Sequence, residues 1–391
     1  MGYMPSEVSA SHVDAARAIM QRYDLDAMLV YYDEFNIGNG WYLTGWCPQF
    51  ESGSVLIPRV GAPMLLGGPE SEPFAKQDSA ITETRNFPPF MVPDEEYPAS
   101  TILSFPQLFA ELKSNMNKVQ RIGVVGKDRI PLGCYNSFAE GFAGVELVDV
   151  TGDFLELRYV KDEWEREQIR AAFKLADLSY DAMKAVIKPG ASEIEVAAAG
   201  EYAARSRGAS GFGFTAIVGS GARANAVVPT ASGKVMQDGE TVMIGLAPKV
   251  RGYAGVMGDY LPVSGEYTAS QKECLKVLRE AFRLTKAMLK PGNIGRDIDA
   301  PARRFCEKHG LDGYLICPFA HTIGIHEAEC PFFGPNSNDV LKPGMTVCVD
   351  VSFFGHPEWH GSRIETGFEI TEDGAIPLSE KMDALHCSEV E

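Results

Sequence analysis

The 391-residue chain has no uninterrupted apolar stretch approaching the ~18 to 20 residues of a membrane-spanning helix, and its N-terminus has no basic region followed by an apolar run. A soluble, cytoplasmic protein is expected. Paired cysteines are also missing: the 8 cysteines are scattered with no C-x-x-C pair, which excludes a zinc ribbon and predicts reduced, buried thiols. Cations are scarce, with 36 Lys plus Arg against 53 Asp plus Glu and a formal net charge of −17. That balance argues against nucleic-acid and anionic-membrane partners, both of which need a cationic face. What remains is ordinary globular composition, 45% hydrophobic and 23% charged, so the chain is expected to fold throughout. At roughly 150 residues per domain, its length suggests two domains.

Along the first part, helical spacing over residues 9–23 alternates with apolar strand patterns at 27–32, 54–57, 63–66 and 122–125. This predicts a small α/β domain over 1–155. A second domain, 156–391, opens on a long amphipathic helix running to about Val186, with Asp162 placed to cap it and Glu163 and Glu165 set against its N-terminal dipole. Within this domain Met183-Lys184-Ala185-Val186-Ile187-Lys188-Pro189-Gly190 is echoed by Thr285-Lys286-Ala287-Met288-Leu289-Lys290-Pro291-Gly292. Each copy ends one helix at a Pro-Gly turn and precedes another, which predicts a duplicated α/β domain with pseudo-twofold symmetry.

Six segments of this domain resemble, in order and spacing, the creatinase, prolidase and aminopeptidase P superfamily. They are Gly252-Tyr253-Ala254-Gly255, Pro262-Val263-Ser264-Gly265, the Pro291-Gly292 helix, His321-Thr322-Ile323-Gly324, Lys342-Pro343-Gly344-Met345 and Ser362-Arg363-Ile364-Glu365. The resemblance implies a creatinase/prolidase-like N-terminal domain followed by a pita-bread catalytic domain. It also implies a cleft in which the family's metallopeptidases hold two divalent cations on an Asp, a second Asp eleven residues on, a His and two Glu. The positions matching the two Asp are Gly245 and Val256, neither of which can ligate. Asp259 is three residues past Val256, on the opposite face of a strand, and is a poor substitute. The other three positions carry His321, Asp350 and Glu365. Creatinase resembles the peptidases here yet works without metal, so a metal-independent site is the leading expectation. The alternative is one divalent metal on His321, Asp350 and Glu365.

The family's second His, seven residues after the first, falls on Ala328, and a two-residue shortening makes His326 its equivalent; a core histidine is the competing reading. The proton-transferring His of creatinase falls on Val227 or Val228. The creatinase Arg that binds substrate across the dimer falls near Glu51, and the loop from Phe353 to His360 precedes Arg363 and Glu365. The expected catalytic residues are therefore His321, His326, Asp350 and Glu365, with Glu51, His360 and Arg363 binding substrate. The expected protein is a homodimeric, creatinase-like hydrolase of a C–N bond in a small nitrogen compound with a cationic or hydrogen-bond-donating group. A lyase would use the same groups. The alternatives are a single-metal Xaa-Pro aminopeptidase or prolidase-like peptidase, and an inert pita-bread binding module.

Overall fold

A computed structural model describes residues 4–93, 97, 99–116 and 118–390. They fall into two compact units, Met1–Arg158 and Tyr159–Glu391. None of their helices is long and apolar enough to cross a membrane.

The first unit runs α1 (Ser6–Arg22), β1 (Ala27–Tyr32), α2 (Gly38–Thr44), β2 (Gly53–Pro58), β3 (Met64–Gly67), α3 (Glu72–Asp78) and β4 (Thr84–Asn86). It continues with α4 (Phe105–Met116), β5 (Arg121–Val125), α5 (Leu132–Gly141), β6 (Glu146–Asp149) and α6 (Thr151–Glu156). Its mixed sheet has the order β4-β3-β2-β1-β5-β6. The run Ala-Met-Leu-Val-Tyr-Tyr of β1 is buried along its whole length, as a central strand covered on both faces must be. On one side Phe87, Phe90, Phe105, Phe138 and Phe142 pack as a cluster, with Phe87 and Phe105 stacked at 4.8 Å.

The second unit contains α7 (Glu163–Val186), α8 (Glu193–Arg205), β7 (Gly211–Phe212), β8 (Ile217–Ser220), β9 (Thr241–Leu246), β10 (Pro248–Val250), β11 (Tyr253–Ala254) and β12 (Met257–Pro262). The helices α9 (Ala269–Lys286) and α10 (Gly295–Lys308) follow. Then come β13 (Ala320–Thr322), β14 (Glu329–Phe332), β15 (Thr346–His356), β16 (His360–Thr371), β17 (Gly374–Pro377) and α11 (Glu380–Cys387). Asp162 caps α7 by accepting the Glu165 N–H, and Glu165 returns the bond to the Asp162 N–H, a reciprocal box repeated by Ser192 and Glu195 on α8.

The duplication is visible in the hydrogen bonds. After the first Lys-Pro-Gly turn, Gly190 N–H donates to the Met236 carbonyl at 3.0 Å; after the second, Gly292 N–H donates to Leu341 at 2.9 Å. Both glycines have left-handed φ, +93° and +88°, which stops each helix and turns the chain. An isolated bridge follows in each copy, Ser192 with Val235 and Ile294 with Val340. Each half also has its own apolar core, one under α7 and α8 and one under α9 and α10. The large sheet joins the halves in the order β14-β13-β15-β16-β12-β9-β8, with β17 added on β16.

One cross-strand row places the site. Ile217 pairs with Gly245, Gly245 with Gly258, Gly258 with Glu365, and Glu365 with Asp350. Directly opposed residues of antiparallel strands share a face. Asp350 and Glu365 from the second half thus continue a row whose first-half members are Ile217 and two glycines.

Candidate functional site

His321, Glu327, Asp350, Glu365 and Arg363 meet on one face of the large sheet. His321 is on β13, and its Nδ1 lies 3.0 Å from the Thr322 carbonyl. A carbonyl only accepts, so Nδ1 carries a hydrogen and Nε2 is turned to the carboxyl groups. There it lies 3.7 Å from Glu327 Oε1 and 3.6 Å from Glu365 Oε1. Both of these Oε1 atoms are buried without a hydrogen-bond donor.

Asp350 is held differently. Its Oδ1 accepts from Ser352 Oγ and from Arg363 Nε, the latter at 3.1 Å, while Arg363 Nε also reaches Ser352 Oγ at 3.0 Å. The described residues give Oδ2 no hydrogen bond. Asp350 and Arg363 both line a cleft with about 390 Å³ of free space, together with His321, His326 and Glu327. The rest of that lining includes Phe214, Ile217, Val228, Cys317 and Phe332.

Burial and mutual charge set the protonation states. Burial, then the charge of Glu365, pushes the Glu327 carboxyl well above its ordinary value. Burial would raise Glu365 too, but its contact with His321 and the charge of Arg363 outweigh it and leave Glu365 low. Burial alone would lower His321; the charges of Glu327, Glu365 and Asp350 win and push it up to about 10. Asp350 is raised by burial against the pull of Arg363.

The loop carrying Glu327 is pinned by a buried ion pair, Lys161 Nζ to Glu329 Oε1 at 2.7 Å. The pair passes so close to Gly324 that a Cβ there would lie 2.2 Å from Glu329 Oε1 and 2.8 Å from Lys161 Cε. Glycine at 324 is a steric requirement of this loop.

Several expectations need correction. Glu51 is 2% exposed, and its oxygens accept the backbone N–H groups of Glu70 at 3.2 Å and Ser71 at 2.9 Å. Its charge is spent inside the first unit, not offered to a substrate. His360 starts β16 at φ +55° in the hairpin with β15, outside the residues lining the cleft. That hairpin folds on itself and onto α9: His356 stacks on Trp359 at 4.1 Å, and Trp359 Nε1 donates to Ser270 Oγ at 3.2 Å. His326 lines the cleft, but the side chain reaching the charged cluster from this loop is its neighbour Glu327. The case for a cationic substrate group also loses force, because Arg363 and His321 already face the carboxylates. Asp259 does point away from the site, accepting from Tyr180 Oη of α7 at 2.9 Å. Val228 lines the cleft.

Glu327 was missed from sequence. The one available signal was the His326-Glu327 pair itself, whose carboxyl group lies 3.7 Å from His321 Nε2.

Comparison with known proteins agrees with this architecture. Residues 167–372 match the model of metallopeptidase family M24, and residues 12–160 match the creatinase/prolidase N-terminal domain. The chain is 32% identical to an uncharacterized peptidase, YqhT, of Bacillus subtilis over 66% of its own length and 72% of the relative's. It is 26% identical to a Xaa-Pro dipeptidase of Pyrococcus horikoshii over 92% and 94% of the two chains. Among solved structures, the prolidase of Pyrococcus horikoshii OT3 shares the fold with a TM-score of 0.81 at 24% identity, covering 95% of this chain and 98% of that one. The two-unit architecture and the duplicated sheet are thus those of a known lineage, and the chain belongs to metallopeptidase family M24, with a creatinase/prolidase domain at its N-terminus.

Proposed function

We propose that the chain is a hydrolase of amide C–N bonds in small peptide-like molecules bound in the cleft of the second unit. The observation that carries this reading is the hold on Asp350. Arg363 and Ser352 both engage Oδ1, which fixes the carboxyl group of a residue that lines the cleft. Burial raises its pKa, so the group is suited both to take a proton from an attacking water and to return it to the departing nitrogen. Arg363 brings positive charge to the same wall, where the carbonyl oxygen turns anionic in the transition state. The peptidase relatives support the choice of an amide over other C–N bonds, and the cleft volume suits a substrate of dipeptide size.

The family's pair of divalent cations does not fit these residues. Gly245 and Val256 offer no donor atom, Gly258 beside them offers none, and the Asp350 oxygen nearest Arg363 is already occupied. No step of the proposed chemistry is therefore assigned to such a pair. A second reading, metal-free hydrolysis of a small amidine or guanidino compound, is favoured by that same misfit.

One panel tests both. Xaa-Pro and other dipeptides, N-acyl amines and guanidino acids are incubated with the full chain, with and without added Mn(II) or Zn(II), and products are followed by mass spectrometry. Cleavage of dipeptides is expected, with Asp350→Asn lowering kcat by about 10²- to 10⁴-fold. Cleavage confined to the guanidino acids would select the second reading, and an unaffected Asp350→Asn would refute the role of Asp350.

A further inference from the structure

The residues lining the cleft leave two different things unsatisfied. Arg363 is 6% exposed, and only its Nε is engaged, by Asp350 Oδ1 at 3.1 Å and Ser352 Oγ at 3.0 Å. Its Nη1 and Nη2 make no hydrogen bond to any described residue. A guanidinium is a planar fork of N–H donors, so a buried one with only Nε in use keeps a bidentate edge for a carboxylate. Much of the remaining lining is hydrocarbon. Phe214, Ile217 and Val228 contribute from the first half and Phe332 from the second, and Val228 and Phe332 are 53% and 41% exposed, apolar surface left uncovered inside a cleft.

The segment carrying Val228 is fixed before any ligand arrives. Buried Glu193 of α8 accepts from Arg223 Nε at 2.9 Å on one side of it and from Ser232 Oγ at 2.7 Å on the other. The Val218 N–H of β8 donates to the Pro229 carbonyl at 3.1 Å, which ties the residue after Val228 to the sheet. No carboxylate lies among the first-half residues that line the cleft. Those of the second half already face cations, Asp350 facing Arg363 while Glu327 and Glu365 face His321. A free α-ammonium group laid on the hydrocarbon lining would therefore be buried without a counter-charge, which is costly.

We infer that the cleft selects N-acylated amino acids, with an uncharged apolar acyl chain on Phe214, Ile217, Val228 and Phe332 and the amino-acid carboxylate on Nη1 and Nη2 of Arg363. Val228 is the residue that sets the preference for the acyl chain. This deepens the hydrolase reading and rests on it for the reaction: one water is consumed, the acyl C–N bond breaks, and a carboxylic acid and a free amino acid leave. The carboxylate of such a substrate is only two bonds from the scissile nitrogen, so the guanidinium that holds it also stands near the carbonyl oxygen. A dipeptide with a free amine has the same bond and the same carboxylate, but it brings a charge to the hydrocarbon lining and is the poorer substrate.

Matched ligands test this on the full-length wild type as isolated. They are N-butanoyl-alanine and N-butanoyl-proline, then the same compounds with an amino group at carbon 2 of the acyl chain, with acetyl for butanoyl, and with carboxamide for carboxylate. Where a ligand is cleaved kcat/KM is measured, and where it is not, calorimetry gives Kd. The added amino group should worsen the measured value by at least about tenfold. Shortening butanoyl to acetyl should cost about tenfold or more, and carboxamide for carboxylate roughly 10- to 100-fold. Val228→Asn, at an exposed position and with its fold checked by circular dichroism, should erase the advantage of butanoyl over acetyl. Equal or better use of the amino-bearing ligands would overturn the acyl selection, and an unchanged carboxamide would overturn the seat at Arg363. A butanoyl advantage that survives in Val228→Asn would overturn the role of Val228. Cleavage of dipeptides in the panel with none of the N-acyl ligands bound would overturn this inference and keep the hydrolase reading. The expected ranking in Kd with no ligand cleaved would sink the hydrolase reading and leave the binding preference standing.

Discussion

Replacing Asp259 with Asn should make the protein more stable at neutral pH. Asp259 is 3% exposed on the helix side of β12, where Oδ2 accepts from Tyr180 Oη and Oδ1 from the Tyr260 N–H, both at 2.9 Å. Burial outweighs these bonds and pushes its pKa from the ordinary 3.8 to about 6. Because the folded value is the higher one, the protonated carboxyl's contribution is fully present below about 3.8 and is lost as pH rises through about 6. At about 1.36 kcal/mol per pH unit, the gap between those values is roughly 3 kcal/mol. Asn does not ionise, and it can still accept from Tyr260 and donate to Tyr180. The variant should therefore gain roughly 3 kcal/mol on the wild type between pH 4 and pH 7, and hold that gain above. Scanning calorimetry of both proteins from pH 4 to pH 8 would show a melting-point gap widening by about 6 to 12 °C for a domain of this size. Parallel curves would mean that Asp259 is ionised without penalty.

Two further substitutions probe how the site is built. Lys161→Met should destabilise the protein by about 3 kcal/mol or more, since it leaves Glu329 buried without its cation, and adding Glu329→Met should recover much of the loss; chemical denaturation of the single and double variants would show it, and a double variant no better than the single would refute the pairing. Gly245→Asp combined with Val256→Asp should raise the number of divalent cations held per chain, because it adds two carboxylates and a Cβ at 245 meets nothing closer than Ile217 at 3.4 Å; an unchanged count in elemental analysis would show that the missing carboxylates are not what limits it.

The duplicated fold was legible because its signals are local. The two Lys-Pro-Gly turns need left-handed glycines at fixed places, the capping boxes need an acceptor and an acid three residues apart, and both are read directly along the chain. His321, Asp350, Glu365 and Arg363 were legible through the resemblance, and the in-register pairing of β13 with β15 and of β15 with β16 at these residues puts them on one face. Glu327 was not, since it reaches the cluster from an irregular loop held by the Lys161–Glu329 ion pair, whose members are 168 residues apart in sequence. Glu51 misled for a similar reason: the backbone N–H groups that capture it lie at Glu70 and Ser71, nearly twenty residues further along. His360 was misplaced because a hairpin tip that packs on its own Trp359 and on Ser270 leaves no mark in the residue pattern.

The row from Ile217 to Asp350 also has a bearing on how a ligand must enter. A cleft built by duplication, with equal halves, would accept an elongated molecule in either of two opposite poses. Here the lining from the first half, among the described residues, is Gly213, Phe214, Ile217 and Val228, while every charged group comes from the second half. An amphiphilic molecule turned end for end would press its polar head on hydrocarbon and its apolar tail on Asp350 and Arg363. The unequal lining from the two halves thus gives the groove a reading direction.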